Sequence, residues 1–473
     1  MTSTHEFKML IGGKLEEGAA YIDVLNPATK QVVGRAPDAT RDDLDRAVAS
    51  ARSAFPGWAS TPIEERRRVL KAMADALTVN VDSLKRLLTS EQGKPYPDAE
   101  TEILGAAYWI EAVSALDIPV TVHEDTAERY SETRRVPVGV VCAIVPWNFP
   151  VFIAIVKLAP ALLAGNTVVL KPSPFTPLST LRFGELVASL LPPGVLNIIS
   201  GGDALGPWMT AHPDFDKISF TGSSATGKRV MQSASPTLKR ITLELGGNDA
   251  AIVLPDVDVD AVAQQLFWAA FANNGQVCMA TKRMYVHKDI YEPLRDAIVV
   301  YAKTVKVGDG AEQGTQIGPI NNAAQYQRVL DLIKDAKDQG YTFLLGGESL
   351  DEPGYFVPIT LIDNPPESSR IVQEEQFGPV LPLIKFDDVD EVIERVNASS
   401  YGLGGSVWSG DEDRAYAIAK RIETGTVWIN EAIYIAPSLP FAGHKDSGIG
   451  VEGGVEGLLE YTITQNITRK RSA

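Results

Sequence analysis

The chain has 473 residues, 45% of them hydrophobic and 22% charged, with a formal net charge of −16. That length calls for two or three domains rather than one core, and the composition excludes disordered and fibrous classes. The acidic balance argues against nucleic-acid phosphates as partners. Five histidines and two cysteines, without Cys-x-x-Cys or His-x-x-x-His spacing, leave no metal site and no disulfide framework to expect, which fits a reducing, cytoplasmic setting.

The start, Met1-Thr2-Ser3-Thr4-His5-Glu6-Phe7-Lys8, lacks a basic stretch followed by an apolar run, so no secretory leader is expected. Thr40 opens a helical segment carrying Leu44, Ala47, Val48 and Ala51. Thr61-Pro62-Ile63-Glu64 joins an N-cap, a proline and a capping-box acid, which predicts a second helix with Val69, Met73 and Leu77 on its apolar face. Val136 to Val156 is free of charge for 21 residues and imitates a membrane span. Pro146 and Pro150 around Trp147-Asn148 make it a buried strand, a turn and a helix start instead, so no membrane partner is expected.

Beyond Val138 short β-rich runs alternate with helical ones. Strands are predicted at 138–145, 167–171, 195–199 and 217–220, and helices at 153–163 and 178–191. A second block follows Gly246, with strands at 250–254, 284–287, 380–384 and 425–430 and helices at 259–272, 291–304 and 323–339. This alternation predicts parallel sheets covered by helices. The tail Tyr461-Thr462-Ile463-Thr464 reads as a lone strand, and a lone terminal strand suits a subunit contact.

Two glycine patterns are decoys. Gly448-x-Gly450-x-x-Gly453 follows a turn rather than a strand, and too little chain remains for a βαβ unit. Gly222-Ser223-Ser224-Ala225-Thr226-Gly227-Lys228-Arg229 follows a strand like a P-loop, but Arg229 stands where a magnesium-holding hydroxyl is needed. It still serves as a strand-to-helix turn able to face a pyrophosphate. Lys171 ends a strand where ligands of parallel sheets bind, and by itself reads equally as a solvated strand end. Cys142 sits among valines as a small core residue. Cys278, in Asn273-Asn274-Gly275-Gln276-Val277-Cys278-Met279, is placed at a loop or helix start. A helix N-terminus there would lower its pKa, whereas a buried inert thiol is the plain alternative. Glu244, before Leu245-Gly246-Gly247, ends a strand-like run and taken singly reads as a turn acid.

Read jointly, these segments resemble the aldehyde dehydrogenase superfamily over nearly the full length. The resemblance implies an α/β fold with a Rossmann-type cofactor domain (1–115 and 138–246), an α/β catalytic domain (247–446) and a small β oligomerisation element (116–137 and 447–473). It makes Cys278 the nucleophile, Glu244 the general base and Asn148, in Pro146-Trp147-Asn148-Phe149-Pro150, the oxyanion amide. It assigns the cofactor to Ile144, Trp147, Lys171, Ser173, Gly222, Ser223, Gly227, Leu245, Glu375 and Phe377, with Lys171 on the adenosine ribose. Glu375 and Phe377 come from Glu374-Glu375-Gln376-Phe377-Gly378-Pro379. Pro440-Phe441-Ala442-Gly443 resembles the C-terminal signature, and the family's following acid falls on Glu452. The implied cofactor is NAD. NADP becomes possible because Pro174 stands where many NAD-preferring relatives carry a ribose-binding glutamate that would repel a 2′-phosphate.

By family position the aldehyde tunnel is lined by Phe149, Ile153, Val156, Val277, Met279, Ile433, Ile435 and Phe441. All are apolar and no arginine stands among them. The resemblance thus implies oxidation of an uncharged, fairly hydrophobic aldehyde, aliphatic or aromatic, by a homodimer or homotetramer. Of the rival functions, a CoA-acylating dehydrogenase is opposed by Glu244, whose hydrolysis would waste the thioester. A cysteine hydrolase built on His287 leaves the cofactor motifs without a purpose, and a non-catalytic scaffold would not need Cys278, Glu244 and Asn148 together.

Overall fold

A computed structural model describes residues 6–348, 350 and 353–471. Met1 to His5, on which much of the leader expectation rests, lie outside the described residues.

The parallel heart of the first sheet is five strands. Val140–Ile144, Thr167–Lys171 and Leu196–Ile198 lie side by side in that order, and Lys217–Thr221 then Arg240–Glu244 extend the other edge. Numbered by chain order the sequence across the sheet is 3-2-1-4-5, so the direction of winding reverses between Val140–Ile144 and Lys217–Thr221. Their carboxyl ends therefore diverge into a crevice, the position where doubly wound sheets take ligands. These strands are buried throughout or nearly so, which explains their continuous apolar runs. On one face pack Leu44, Ala47, Val48 and Ala51 of helix Arg41–Ser60 with Val230 and Ala234. On the other lies helix Pro150–Ala164 with Leu70, Met73, Leu77 and Ile103.

Arg41–Ser60 begins as its sequence demands: Thr40 Oγ1 accepts from the Asp43 amide, and Asp43 returns a bond to the Thr40 N–H at 2.8 Å. Thr61 corrects its reading. The next helix spans Ile63–Val79 with Pro62 at the cap and no side-chain cap bond. Thr61 instead closes the preceding helix, its amide donating to the Trp58 carbonyl and its hydroxyl to Gly57. A hydroxyl spent backward cannot cap forward.

Four residues, Leu245 to Asn248, carry the chain from the carboxyl end of Arg240–Glu244 to the start of Asp249–Val253 in a second sheet. That sheet runs Thr342–Leu345, Thr360–Asp363, Val380–Phe386, Thr281–His287, Asp249–Val253, Gly404–Trp408 and Thr426–Ile429, parallel except at the first pair. The exit edge of one sheet thus faces the entry edge of the next, and Cys278 lies in the turn leading into Thr281–His287. Thr121–Asp125, Arg129–Pro137 and the terminal Thr462–Lys470 form a separate three-stranded sheet with Thr462–Lys470 on an edge.

Candidate active site

Asn148 sits in the turn between strand Val140–Ile144 and helix Pro150–Ala164. Its carbonyl accepts from Lys94 Nζ at 3.0 Å and Asn273 Nδ2 at 3.1 Å, and its own Nδ2 donates to the Gln276 carbonyl at 3.0 Å. An amide nitrogen carries two hydrogens, so one donor remains for another acceptor. Lys94 is itself fully buried against Glu102 at 2.5 Å and lies 3.8 Å from the Phe149 ring centre. Glu102 also accepts from the Val151 and Phe152 amides, capping the helix from a distance. This buried pair ties the amide-bearing turn to the helix that follows it through Lys94 on the Asn148 carbonyl and Glu102 on the Val151 and Phe152 amides.

The segment that carries Cys278 is strained. Asn273, Asn274 and Gly275 all have positive φ (49°, 62° and 71°), a region that asparagine and glycine alone visit readily. Gln276 ties this bend down, donating through Nε2 to the Asn273 carbonyl and accepting from the Asn321 amide. Cys278 follows in a turn, the loop rather than the helix start of the two placements the sequence allowed, so no helix dipole acidifies it. Burial pushes the thiol up to about 12; Lys282 pulls down against it, while Glu244, Asp249 and Glu375 raise it further. Glu244 is likewise raised well above the ordinary carboxylate range, by burial first, then by Glu452, with Lys157 opposing. Its Oε1 is buried with no protein partner. Glu452 pairs with Lys157 at 2.5 Å, and Lys157 also reaches Ser219 Oγ at 3.1 Å.

Two cavities meet at these groups. One, about 160 Å³, opens at the switch-point crevice and is lined by Trp147, Gly222, Ser223, Leu245, Glu375 and Phe377, with Asn148, Ile153, Thr221 and Cys278 on its far wall. The other, about 130 Å³, is lined by the same last four residues together with Glu244, Phe149, Val156, Val277, Met279, Ile435 and Phe441. An outer chamber of about 730 Å³ shares Phe149, Val277, Met279 and Ile435 with it and adds Ile433. Seven of the eight apolar residues expected along a tunnel therefore line the inner cavity, and Ile433 lines the outer one.

The expected cofactor residues divide. Six line the crevice cavity. Ile144 and Lys171 end neighbouring strands in register at the same edge, and Ser173 follows with its hydroxyl accepting from the Phe175 amide. Gly227 is a packing glycine, since a Cβ there would lie 2.5 Å from Leu245 Cδ2. Ser223 caps helix Ser224–Ala234 at this edge. The crevice suits a dinucleotide: Thr221 Oγ1 is buried without a protein partner, Trp147 and Phe377 stand edge to face at 5.4 Å, and Glu375 is anchored by the Gly247 amide at 3.0 Å.

Sequence reasoning missed Trp109, Phe152 and Thr221 in the inner cavity, Trp268 in the outer one, and Lys282 beneath the Cys278 turn. The aromatics lie in helices Tyr96–Ser114, Pro150–Ala164 and Val259–Phe271, where an apolar side chain looks the same for a wall as for a core.

The comparison with known proteins matches this geometry. The model of the aldehyde dehydrogenase family fits residues 15–467. The chain belongs to that family. It is 45% identical over 470 residues to a probable aldehyde dehydrogenase of a Pseudomonas species, covering 99% of this chain and 95% of the relative. It is 39% identical to phenylacetaldehyde dehydrogenase of Pseudomonas fluorescens, covering 97% and 95%. An aldehyde dehydrogenase structure from Bacillus cereus superposes with a TM-score of 0.97 at 37% identity, covering 99% and 97%. The NAD+ complex of Staphylococcus aureus betaine aldehyde dehydrogenase does so at 0.96 and 33%, covering 98% and 95%. The fold is that of the aldehyde dehydrogenases, and the protein is an NAD(P)-dependent enzyme of this kind. Among the described residues no helix is long and apolar enough to cross a membrane.

Proposed function

We propose that this aldehyde dehydrogenase oxidises an uncharged, fairly hydrophobic aldehyde, aliphatic or aromatic, to its carboxylic acid through a thioester on Cys278. The observation that carries this reading is the wall shared by the two cavities. Cys278 and Asn148 stand in both, so a carbonyl carbon at the thiol would lie between an apolar tunnel and the cofactor crevice.

In the proposed cycle the Cys278 thiolate adds to the aldehyde carbon. The free Asn148 N–H and the Cys278 backbone N–H receive the oxyanion, and each donor of this type is worth ~3–4 kcal/mol of transition-state stabilisation. Trp147, Glu375 and Phe377 would hold NAD(P)+, which would supply the hydride acceptor. Once the aldehyde hydrogen has left as hydride, Cys278 carries a thioester. Glu244, held in an apolar wall with an unengaged oxygen, takes a proton from water as that water attacks the acyl carbon, and the thiol is released. Glu244 must be ionised to do so, and burial with Glu452 nearby holds it protonated to unusually high pH. Hydrolysis therefore slows as pH falls.

The cofactor is taken to be NAD, with NADP admitted because Pro174 supplies no carboxylate to oppose a 2′-phosphate. We assign residues 1–115 and 138–246 to cofactor binding, 247–446 to catalysis, and 116–137 with 447–473 to assembly as a homodimer or homotetramer in the cytoplasm.

Substrate choice follows from the lining. Lys94 is the cation of the outer chamber, and Glu102 already neutralises it. An anionic aldehyde would lose hydration with no partner in return. In a steady-state panel, phenylacetaldehyde or hexanal is expected to exceed succinate semialdehyde in kcat/KM by about a hundredfold or more, a gap of roughly 3 kcal/mol. A semialdehyde that outperformed both would overturn the substrate assignment.

A further inference from the structure

We propose that Lys282 is a positioning residue for Cys278, its buried ammonium pinning the backbone of the nucleophile turn and setting positive charge beside the thiol. The inference rests on Cys278 being the nucleophile and adds a group that none of the motifs contains.

Lys282 lies in strand Thr281–His287 and is 3% exposed. Its Nζ donates to the carbonyls of Val277 at 2.8 Å, Cys278 at 2.6 Å and Ala280 at 3.2 Å. A lysine ammonium has three hydrogens, and this one spends all of them on the four-residue turn that carries the nucleophile. Upstream, Asn148 Nδ2 donates to the Gln276 carbonyl, so the segment is tied both to the strand that follows it and to the turn after strand Val140–Ile144. The tie fixes the direction of the Cys278 N–H as well as that of its thiol.

The charge has a second consequence. Carbonyls neutralise an ammonium only in part, and the nearest carboxylate, Glu375, stands off at 3.8 Å. The acids that face the thiol, all three buried, are Glu244 from the first sheet, Asp249 from the second and Glu375 from the crevice. Arg283, the next residue, is turned away to the Asn248 carbonyl at 2.9 Å. Lys282 is thus the cation that favours the Cys278 thiolate. The same ammonium lies between the turn and Glu375, linking the nucleophile to the crevice wall.

Three substitutions separate the tie from the charge. Lys282→Gln keeps hydrogen-bond donors without charge, Lys282→Arg keeps the charge, and Lys282→Met removes both. Each full-length variant is checked for folding by circular dichroism and for the pH dependence of Cys278 alkylation by iodoacetamide, with Cys278→Ala as blank. In Gln and Met the rate–pH line is expected to move up the pH axis by about one unit with its slope kept, so that alkylation at a given pH falls about tenfold. Arg is expected to stay within about threefold of the parent, a difference of less than 1 kcal/mol. Should Met fail to fold, Gln and Arg decide. Gln matching the parent, or Arg shifting as far as Gln, would overturn the proposal. Activity that survived complete alkylation of Cys278 would instead remove the nucleophile itself, whatever the lysine does.

Discussion

Lys171 shows how one side chain couples cofactor choice to pH. It ends a buried strand, and burial lowers its pKa to about 8, with Asp203 and Asp38 pulling it back up. A lysine is charged below its pKa, so its attraction for a phosphate is present at pH 7 and fades as pH rises through about 8. NADP, with its extra 2′-phosphate, is expected to lose more affinity than NAD between pH 7 and 9 when each is titrated by protein fluorescence. Equal losses would place the 2′-phosphate away from Lys171. At this scale single residues said little: Cys278 read as a buried thiol and Glu244 as a turn acid, and only the joint resemblance of their strings to the family's singled them out with Asn148. Trp109 and Phe152 were missed, since an aromatic on a helix looks alike whether it walls a tunnel or fills a core. Lys282 was invisible for another reason. A lysine in a strand reads as solvated until its three carbonyl partners are seen.

Among the elements, the bend before Cys278 concentrates the most backbone strain. Gly275 is left-handed, and a Cβ there would run into the Gly378 carbonyl. Gly275→Ala is expected to destabilise the fold by about 1–3 kcal/mol, from the strained φ and the displaced segment together. The same change should misplace the thiol, so kcat falls even in protein that remains folded, read by thermal melts beside steady-state rates. Unchanged kcat would show that the bend does not position the nucleophile. Elements of regular period were largely legible. Thr167–Lys171 was read to the residue, and Thr40 forms its capping box. Thr61 was misread because a capping signature is local, whereas its hydroxyl is claimed by a helix that ends three residues earlier than the signature begins to act. The bend itself left only asparagines and a glycine as a clue.

The described residues form two largely parallel sheets, a separate three-stranded sheet and two short two-stranded pairings. Alternating strands and helices announced the first two. The 3-2-1-4-5 order could not be read from sequence spacing, because strand pairing is set by long-range packing. On the small sheet Val122 and Ile467 both pair across to Glu132 and are exposed at 52% and 38%. Apolar side chains in one cross-strand row on an edge sheet suit a subunit contact. Val122→Asp with Ile467→Asp is expected to shift a dimer or tetramer toward monomer in sedimentation velocity, and an unmoved boundary would place the interface elsewhere. The most direct measurement of the catalytic reading is a single-turnover experiment on Glu244→Gln. With phenylacetaldehyde and NAD+, this variant should release about one NADH per subunit and then stall, with the acyl group found on the Cys278 peptide by mass spectrometry, because the thioester forms but lacks its base. Sustained turnover without an acyl adduct would contradict a Cys278 thioester hydrolysed through Glu244.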